Sequence, residues 1–190
     1  MSRLPSLPAD AHLCHVFQRF PRGALALGKY SDDLLREESE LSVGEREMLA
    51  AYVSDLNSCN FCHGNHKMIA EIHGVDPNLL ESLLDSPQDS GIDEKWLPLL
   101  AYVRKLTESP SRITDADAQL VFDAGFSEGA LFDAISVCAL FNFMNRLVEG
   151  CGVLYNDTNA AAARERHKSG ETSATPYLDF MRLSTKAPEK

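Results

Sequence analysis

Apolar residues in this chain recur every three to four positions, and no segment alternates apolar and polar residues as a strand does. The stretch LSVGEREMLAAYVSDLN carries the pattern most clearly, because Met48, Leu49 and Tyr52 share one helical face. Ser42 stands three residues before Glu45, which matches a capping box at a helix start. Comparable runs fill most of the 190 residues, so the sequence predicts an all-α fold.

The chain divides into a helical domain and a tail. Residues 1–155 are predicted to form one domain whose motif core spans residues 40–75, and residues 156–190 form a tail with one predicted helix over 158–169. The otherwise polar tail contains four apolar residues, which would be exposed to water unless another surface buried them. We therefore expect the tail to contact a neighbouring subunit. The four apolar residues are Tyr177, Leu178, Phe180 and Met181.

A weak internal echo joins two helix ends that lie 78 residues apart. AEIHGV and VEGCGV align Glu71 with Glu149 and Gly74 with Gly152. The same offset places Val137 where Cys59 stands. The echo predicts a degenerate duplication of a helix hairpin, with the chemistry kept in one copy.

Charge and cysteine usage narrow the function classes. The formal net charge of -10 argues against nucleic acid as a partner, because phosphate binding needs a basic surface. The first residues lack the apolar core of a signal peptide, and no run approaches the roughly 18 to 20 apolar residues of a membrane span. Five cysteines is an odd number, so we expect a reducing cytoplasm, no membrane partner and no disulfide framework.

The stretch LNSCNFCHGNHKMIAEIHGV concentrates the reactive residues. Asn57 or Ser58 is predicted to cap a helix whose first turn holds Cys59 and Cys62. Unpaired N–H groups and the helix dipole favour thiolates there. His66 follows Cys62 by four residues, so all three reactive side chains share one helix face and His66 can act as a proton acceptor for Cys62.

Two other interpretations of this stretch stay open. Cys and His are zinc ligands, but a structural zinc site needs four ligands and the chain has no second Cys/His pair at that spacing. A plain buried Cys pair with a surface His is the other alternative. Neither a metal nor another cofactor is expected. The preceding helix offers an acid, Glu47, that can face the Cys helix across the hairpin, although a helical Glu is usually solvated.

These residues together resemble a known family. Glu47, Cys59, Cys62 and His66 reproduce the pattern of the alkylhydroperoxidase D (AhpD-like) and carboxymuconolactone decarboxylase superfamily, closest to its peroxidase-related members. That pattern is a Glu, twelve residues to a Cys, then Cys-x-x-Cys-x-x-x-His. The resemblance covers about residues 20–155 and implies an AhpD-like helical bundle that forms trimers or hexamers, with a dimer-based assembly as a further option.

The resemblance also implies a peroxidase chemistry. Cys62 would attack a hydroperoxide and become a sulfenic acid, and Cys59 would resolve it to a disulfide. His66 and Glu47 would relay protons through water, and a dithiol, either a protein or a small thiol, would reduce the disulfide. Helix position alone favours Cys59 as the nucleophile, because it is nearer the N-terminus.

One residue departs from the family pattern, and two other functions compete. The characterised peroxidase has a His immediately before its second Cys, where this chain has Phe61, so a donor is missing and Phe61 becomes core or pocket lining. A lactone-acid decarboxylase is the first alternative, although that branch does not depend on a Cys pair. A non-catalytic, redox-responsive oligomer is the second. Asn142, Asn145 and Arg146 form a polar stripe, with support of the Cys site as the alternative.

Overall fold

The computed structural model describes residues 2–155, 164–165 and 173–186, and all of its regular structure there is helical. The predicted all-α fold is confirmed. The predicted helix over 158–169 lies outside the described residues, except for 164 and 165. The α-helices are α1 (Leu13–Arg19), α2 (Ala24–Arg36), α3 (Val43–Leu56), α4 (Asn60–Ile72), α5 (Pro77–Asp85), α6 (Trp96–Glu108), α7 (Asp115–Asp123), α8 (Glu128–Cys151) and α9 (Pro176–Thr185), with short 3-10 turns at Pro87–Asp89 and Pro110–Arg112.

Helix α3 is the central element. It begins at the predicted capping box, where the Ser42 hydroxyl accepts from the Glu45 N–H and the Glu45 carboxylate accepts from the Ser42 N–H. It packs along α4, α6 and α8 and is buried on almost every side from residue 46 to residue 54. A carboxylate on this helix is therefore removed from water, which a helical Glu normally is not.

Helix α8 is the long partner of α3 in the core. Its length and composition suffice for a membrane span, contrary to the sequence expectation, with a mean hydropathy of 1.4 and half of its most apolar window buried. It packs against α2, α3, α4, α6 and α7, so much of its apolar surface serves this core. Two apolar clusters result, one around α3, α6 and α8, and a second that joins α1, the start of α4, the end of α8 and α9.

The two helix ends of the internal echo have the same geometry. Gly74 and Gly152 are both left-handed, with φ values of 93° and 72°. Val75 N–H donates to the Ala70 carbonyl at 3.0 Å, and Val153 N–H donates to the Val148 carbonyl at 3.2 Å. Many helices end this way, so the proposed duplication stays a prediction.

Helix α9 packs against α1 and α2 of the same chain. Both oxygens of the Asp32 carboxylate, which is 4% exposed, accept N–H groups from the first turn of α9, at 3.0 Å from Tyr177 and 2.8 Å from Leu178. Met181 is buried in the second cluster. Part of the tail is thus covered by its own chain, and its expected contact with a neighbouring subunit stays a prediction.

Candidate active site

The two motif cysteines lie at the start of α4. Cys59 is the N-cap residue, so the helix begins one to two residues later than predicted, and Cys62 lies in its first turn. The turn before it is tight: Ser58 has a φ of 56°, and the Cys59 N–H donates to the Ser54 carbonyl at 2.8 Å. Both are free thiols, and Cys59 is 0% exposed while Cys62 is 3% exposed. Both sulfurs of the pair are therefore buried within the chain.

The two sulfurs lie near each other and influence each other's ionisation. Interaction with Cys62 lowers the pKa of the Cys59 thiol, while the pKa of Cys62 is raised, first by its interaction with Cys59 and then by burial. This interaction favours ionisation at Cys59 over ionisation at Cys62. Glu149 of α8 lies beside Cys59 and opposes that charge.

Asn145 of α8 belongs to the surroundings of the dithiol. It is 2% exposed, and its interaction with Cys62 lowers the pKa of that thiol. Its amide donates to the Ser54 hydroxyl at 3.0 Å and accepts from the Asn57 amide at 3.0 Å. Arg146 is exposed and donates to the carbonyl and the side-chain oxygen of Asn142, one turn earlier in α8. Within the polar stripe, Asn145 is therefore buried beside the dithiol, whereas Arg146 is exposed.

Glu47 and His66 form a buried pair between α3 and α4. The Glu47 carboxylate is 0% exposed, and its Oε2 lies 2.5 Å from His66 Nδ1. Burial raises the pKa of Glu47, but His66, Arg36 and Tyr177 outweigh burial and lower it to about 2. A carboxylate can only accept, so Nδ1 carries the proton and Nε2 is the second nitrogen of this imidazole.

Two residues that the sequence pattern does not identify complete this pair. Arg36 Nη1 lies 2.6 Å from Glu47 Oε1, and the Tyr177 hydroxyl donates to the same oxygen at 2.6 Å. Arg36 comes from the end of α2, just before the motif core, and Tyr177 comes from α9, far from the motif in sequence. The unusual apolar content of the tail was the one available signal for Tyr177.

His66 does not hydrogen-bond to Cys62 among the described residues. Its ring packs edge-on against Phe141 at 4.4 Å and stacks on Tyr177 at 6.1 Å between centroids. The structure brings Glu47 to His66 and Cys59 to Cys62, while the two pairs have no direct hydrogen bond to each other. A proton moving between them needs an intervening carrier such as water.

Phe61 and the remaining histidines are placed around this centre. Phe61 is 8% exposed, lies in the same apolar cluster as both cysteines, and meets the edge of the His12 ring at 5.3 Å. His63 Nδ1 lies 3.2 Å from the Ala51 carbonyl, and His73 caps the end of α4. Within the described part of the chain, no group of three His, Cys, Asp or Glu side chains is arranged to hold a metal ion.

Comparisons with solved structures agree with this architecture. An uncharacterized peroxidase-related protein from Silicibacter sp. TM1040 is similar at 30% sequence identity, with a TM-score of 0.65 over 69% of this chain and 69% of that chain. The alkylhydroperoxidase AhpD core of an uncharacterized peroxidase-related protein from Ralstonia eutropha JMP134 has a TM-score of 0.70 and 24% identity, over 75% of each chain. No protein-family model and no curated protein matches the sequence.

Proposed function

Because this chain belongs to the AhpD-like family of peroxidase-related proteins, we propose that it is a thiol-dependent peroxidase that reduces hydroperoxides with the Cys59–Cys62 dithiol. The observation that carries the proposal is the proximity of the two buried cysteines at the N-terminus of α4, where Cys59 is the N-cap residue and Cys62 lies in the first turn. Two cysteines this close at one helix start are placed to form a disulfide with little movement.

The reacting form in this proposal is the singly protonated dithiol, with the thiolate on Cys59 and the proton on Cys62. The lowered pKa of Cys59 and the raised pKa of Cys62 favour this arrangement. As Cys62 attacks, its proton moves to Cys59, so the family's nucleophile is generated without an external base. This reconciles the attack by Cys62 with the lower pKa of Cys59.

The reaction balances as a two-electron transfer. The Cys62 sulfur bonds to the terminal peroxide oxygen, the O–O bond breaks, and the leaving alkoxide takes a proton and departs as an alcohol. Cys59 then attacks the sulfenic acid sulfur of Cys62, forming the disulfide and releasing water. One proton is taken up from solvent. A dithiol reductant supplies two electrons and one proton to restore the singly protonated pair, and releases its second proton to solvent.

His66 and Glu47 supply the proton relay. The Glu47 carboxylate orients the imidazole, because it is ionised and buried beside Nδ1. Nε2 then exchanges a proton with the reacting atoms through water. The absence of a direct bond between His66 and Cys62 among the described residues makes water the required carrier in this proposal.

The proposal also covers how substrates reach the dithiol, how the chain assembles and where it works. A hydroperoxide is small, so local opening of the apolar cluster around the dithiol suffices for its entry, whereas a protein reductant needs a larger opening. We propose a homo-oligomer that works in the cytoplasm, where thiol reductants are available.

The test is disulfide mapping after a single equivalent of oxidant. The reduced protein is mixed with one equivalent of cumene hydroperoxide, quenched by alkylation at set times, and digested for mass spectrometry. We expect a Cys59–Cys62 disulfide formed far faster than free cysteine reacts. Cys138→Ser is the matched control, because Cys138 is also buried but lies in the other apolar cluster, beside Thr107.

The single variants separate the roles of the two sulfurs. Cys59→Ser should accumulate a Cys62 sulfenic acid that dimedone traps, and Cys62→Ser should lose the fast reaction. A wild-type protein that forms no Cys59–Cys62 disulfide, or a Cys62→Ser variant that reacts at the wild-type rate, contradicts the proposal. Metal analysis of the purified protein tests the zinc alternative.

A further inference from the structure

Helix α9 delivers a tyrosine to the buried carboxylate of the candidate relay. We propose that Tyr177 is a positioning residue for the peroxidase site, whose hydroxyl holds the Glu47 carboxylate in register with His66. The Tyr177 hydroxyl donates to Glu47 Oε1 at 2.6 Å, while Oε2 faces His66 Nδ1 at 2.5 Å. The inference rests on the proposed function and extends it to the tail of the chain.

Two residues of α2, Asp32 and Gly28, hold α9 in the position from which Tyr177 reaches Glu47. The Asp32 carboxylate accepts two N–H groups from the first turn of α9, so it takes the place of an N-cap side chain. Gly28 lets the helix approach closely, since a Cβ there would lie 2.9 Å from the Leu178 Cα. Both residues belong to α2, which also supplies Arg36. One helix therefore positions both donors to Glu47 Oε1.

The groups around Glu47 show what the hydroxyl adds. Arg36 already supplies a positive charge to Oε1 and also contacts Tyr177, with Nη2 3.3 Å from the hydroxyl. The charged or titratable side chains that face or influence this carboxylate are Arg36, Arg46, His66, His73 and Tyr177. Burial and the Glu47 charge raise the pKa of Tyr177 well above its usual value, so the hydroxyl stays a donor.

The Tyr177 hydroxyl affects the orientation of the Glu47 carboxylate more than it affects the charge around it. With Oε1 held by two donors from one side, the carboxylate plane is fixed and Oε2 is directed at His66. The imidazole is then held with Nδ1 protonated and Nε2 available for proton exchange. Without the hydroxyl, Arg36 alone holds Oε1, and the carboxylate can rotate away from His66.

The test compares three variants of the full chain. Tyr177→Phe removes only the hydroxyl, and we expect it to slow hydroperoxide oxidation of the dithiol by about threefold to tenfold, the effect of losing one ordinary hydrogen bond. Tyr30→Phe makes the same change on an exposed tyrosine of α2. Phe180→Ala weakens the docking of α9 at a residue whose ring faces His12, not Glu47.

A second readout does not depend on activity. The Nδ1 proton and nitrogen resonances of His66, measured by NMR on labelled protein, report its hydrogen bond to Glu47. Tyr177→Phe should shift both resonances, whereas Tyr30→Phe and Phe180→Ala should leave them close to wild type. A Tyr177→Phe variant with wild-type resonances overturns the inference, as does a Phe180→Ala variant that shifts them equally.

The two claims can fail separately. If wild-type protein does not react with hydroperoxide, the proposed function fails and the His66 resonances alone decide whether Tyr177 positions Glu47. If wild-type protein reacts and Tyr177→Phe reacts equally fast with unshifted resonances, the peroxidase stands and the role of Tyr177 is overturned.

Discussion

Glu47 on α3 and His66 on α4 are joined by a 2.5 Å contact between Oε2 and Nδ1, although the carboxylate is wholly buried. Burying a carboxylate costs several kcal/mol unless charge and hydrogen bonds compensate it. Arg36 and Tyr177 provide that compensation at the other oxygen. The hairpin of α3 and α4 therefore carries a fixed, ionised acid next to the helix that begins with the dithiol.

Removing the charge at Glu47 should destabilise the protein. Glu47→Gln leaves the guanidinium of Arg36 without its carboxylate in a largely buried position, where breaking an ion pair costs about 3 kcal/mol. Urea unfolding at pH 7 measures this loss. The control is Glu38→Gln, which removes an exposed charge and should change the free energy of unfolding by less than ~0.5 kcal/mol. Equal stability of the two variants would contradict the role of Glu47.

The same carboxylate makes a pH-dependent contribution. The pKa of Glu47 falls from its ordinary 4.5 to about 2 in the folded chain, so the folded state binds that proton more weakly than the unfolded state. Its stabilisation is complete above pH 4.5 and is lost as the pH falls towards about 2. The stability difference between wild type and Glu47→Gln should therefore shrink through that window. A difference that stays constant from pH 6 to pH 3 would argue against an ionised Glu47.

The docking of α9 should be sensitive to one methyl group on α2. In Gly28→Ala the new Cβ would lie 2.7 Å from Met181 Cγ and 2.9 Å from the Leu178 Cα. Such overpacking costs about 1–3 kcal/mol, and hydrogen exchange in α9 should accelerate. Gly150→Ala is the matched control, because a Cβ there meets nothing within 4 Å. Unchanged protection of α9 in Gly28→Ala would show that the approach is looser than described.

The five cysteines should differ in their reaction with a bulky disulfide reagent. Cys14 is partly exposed, whereas Cys59, Cys62, Cys138 and Cys151 are buried. One thiol should therefore react quickly with 5,5′-dithiobis(2-nitrobenzoate) in native protein, and the other four should react slowly until urea is added. Cys14→Ser should abolish the fast phase. A fast phase that persists in Cys14→Ser would mean that the dithiol is open.

The sequence predicts those parts of the site that depend on residues close together along the chain. The capping box at Ser42 and the helical spacing of the cysteines follow from short-range rules, so the helices and the sharing of one face by Cys59 and Cys62 could be predicted. The short connection between α3 and α4 also predicts that these two helices pack against each other. In the structure, Glu47 of α3 lies against His66 of α4.

The rest depends on tertiary packing that no local rule describes. Tyr177 is 130 residues from Glu47 in sequence, and Arg36 is on a different helix. The i,i+4 spacing allows His66 to reach Cys62, and in the folded chain the Nδ1 of this imidazole faces Glu47. The buried carboxylate offers a stronger, charge-assisted hydrogen bond than a thiol does.

The central claim is tested most directly by the stoichiometry and rate of hydroperoxide consumption. Reduced wild-type protein should lose two thiols and produce one alcohol for each hydroperoxide consumed, at a rate far above that of free cysteine. Cys62→Ser should abolish that rate, and Cys138→Ser should retain it. Consumption at the rate of free cysteine, or thiol loss that does not involve Cys59 and Cys62, would contradict a peroxidase built on this dithiol.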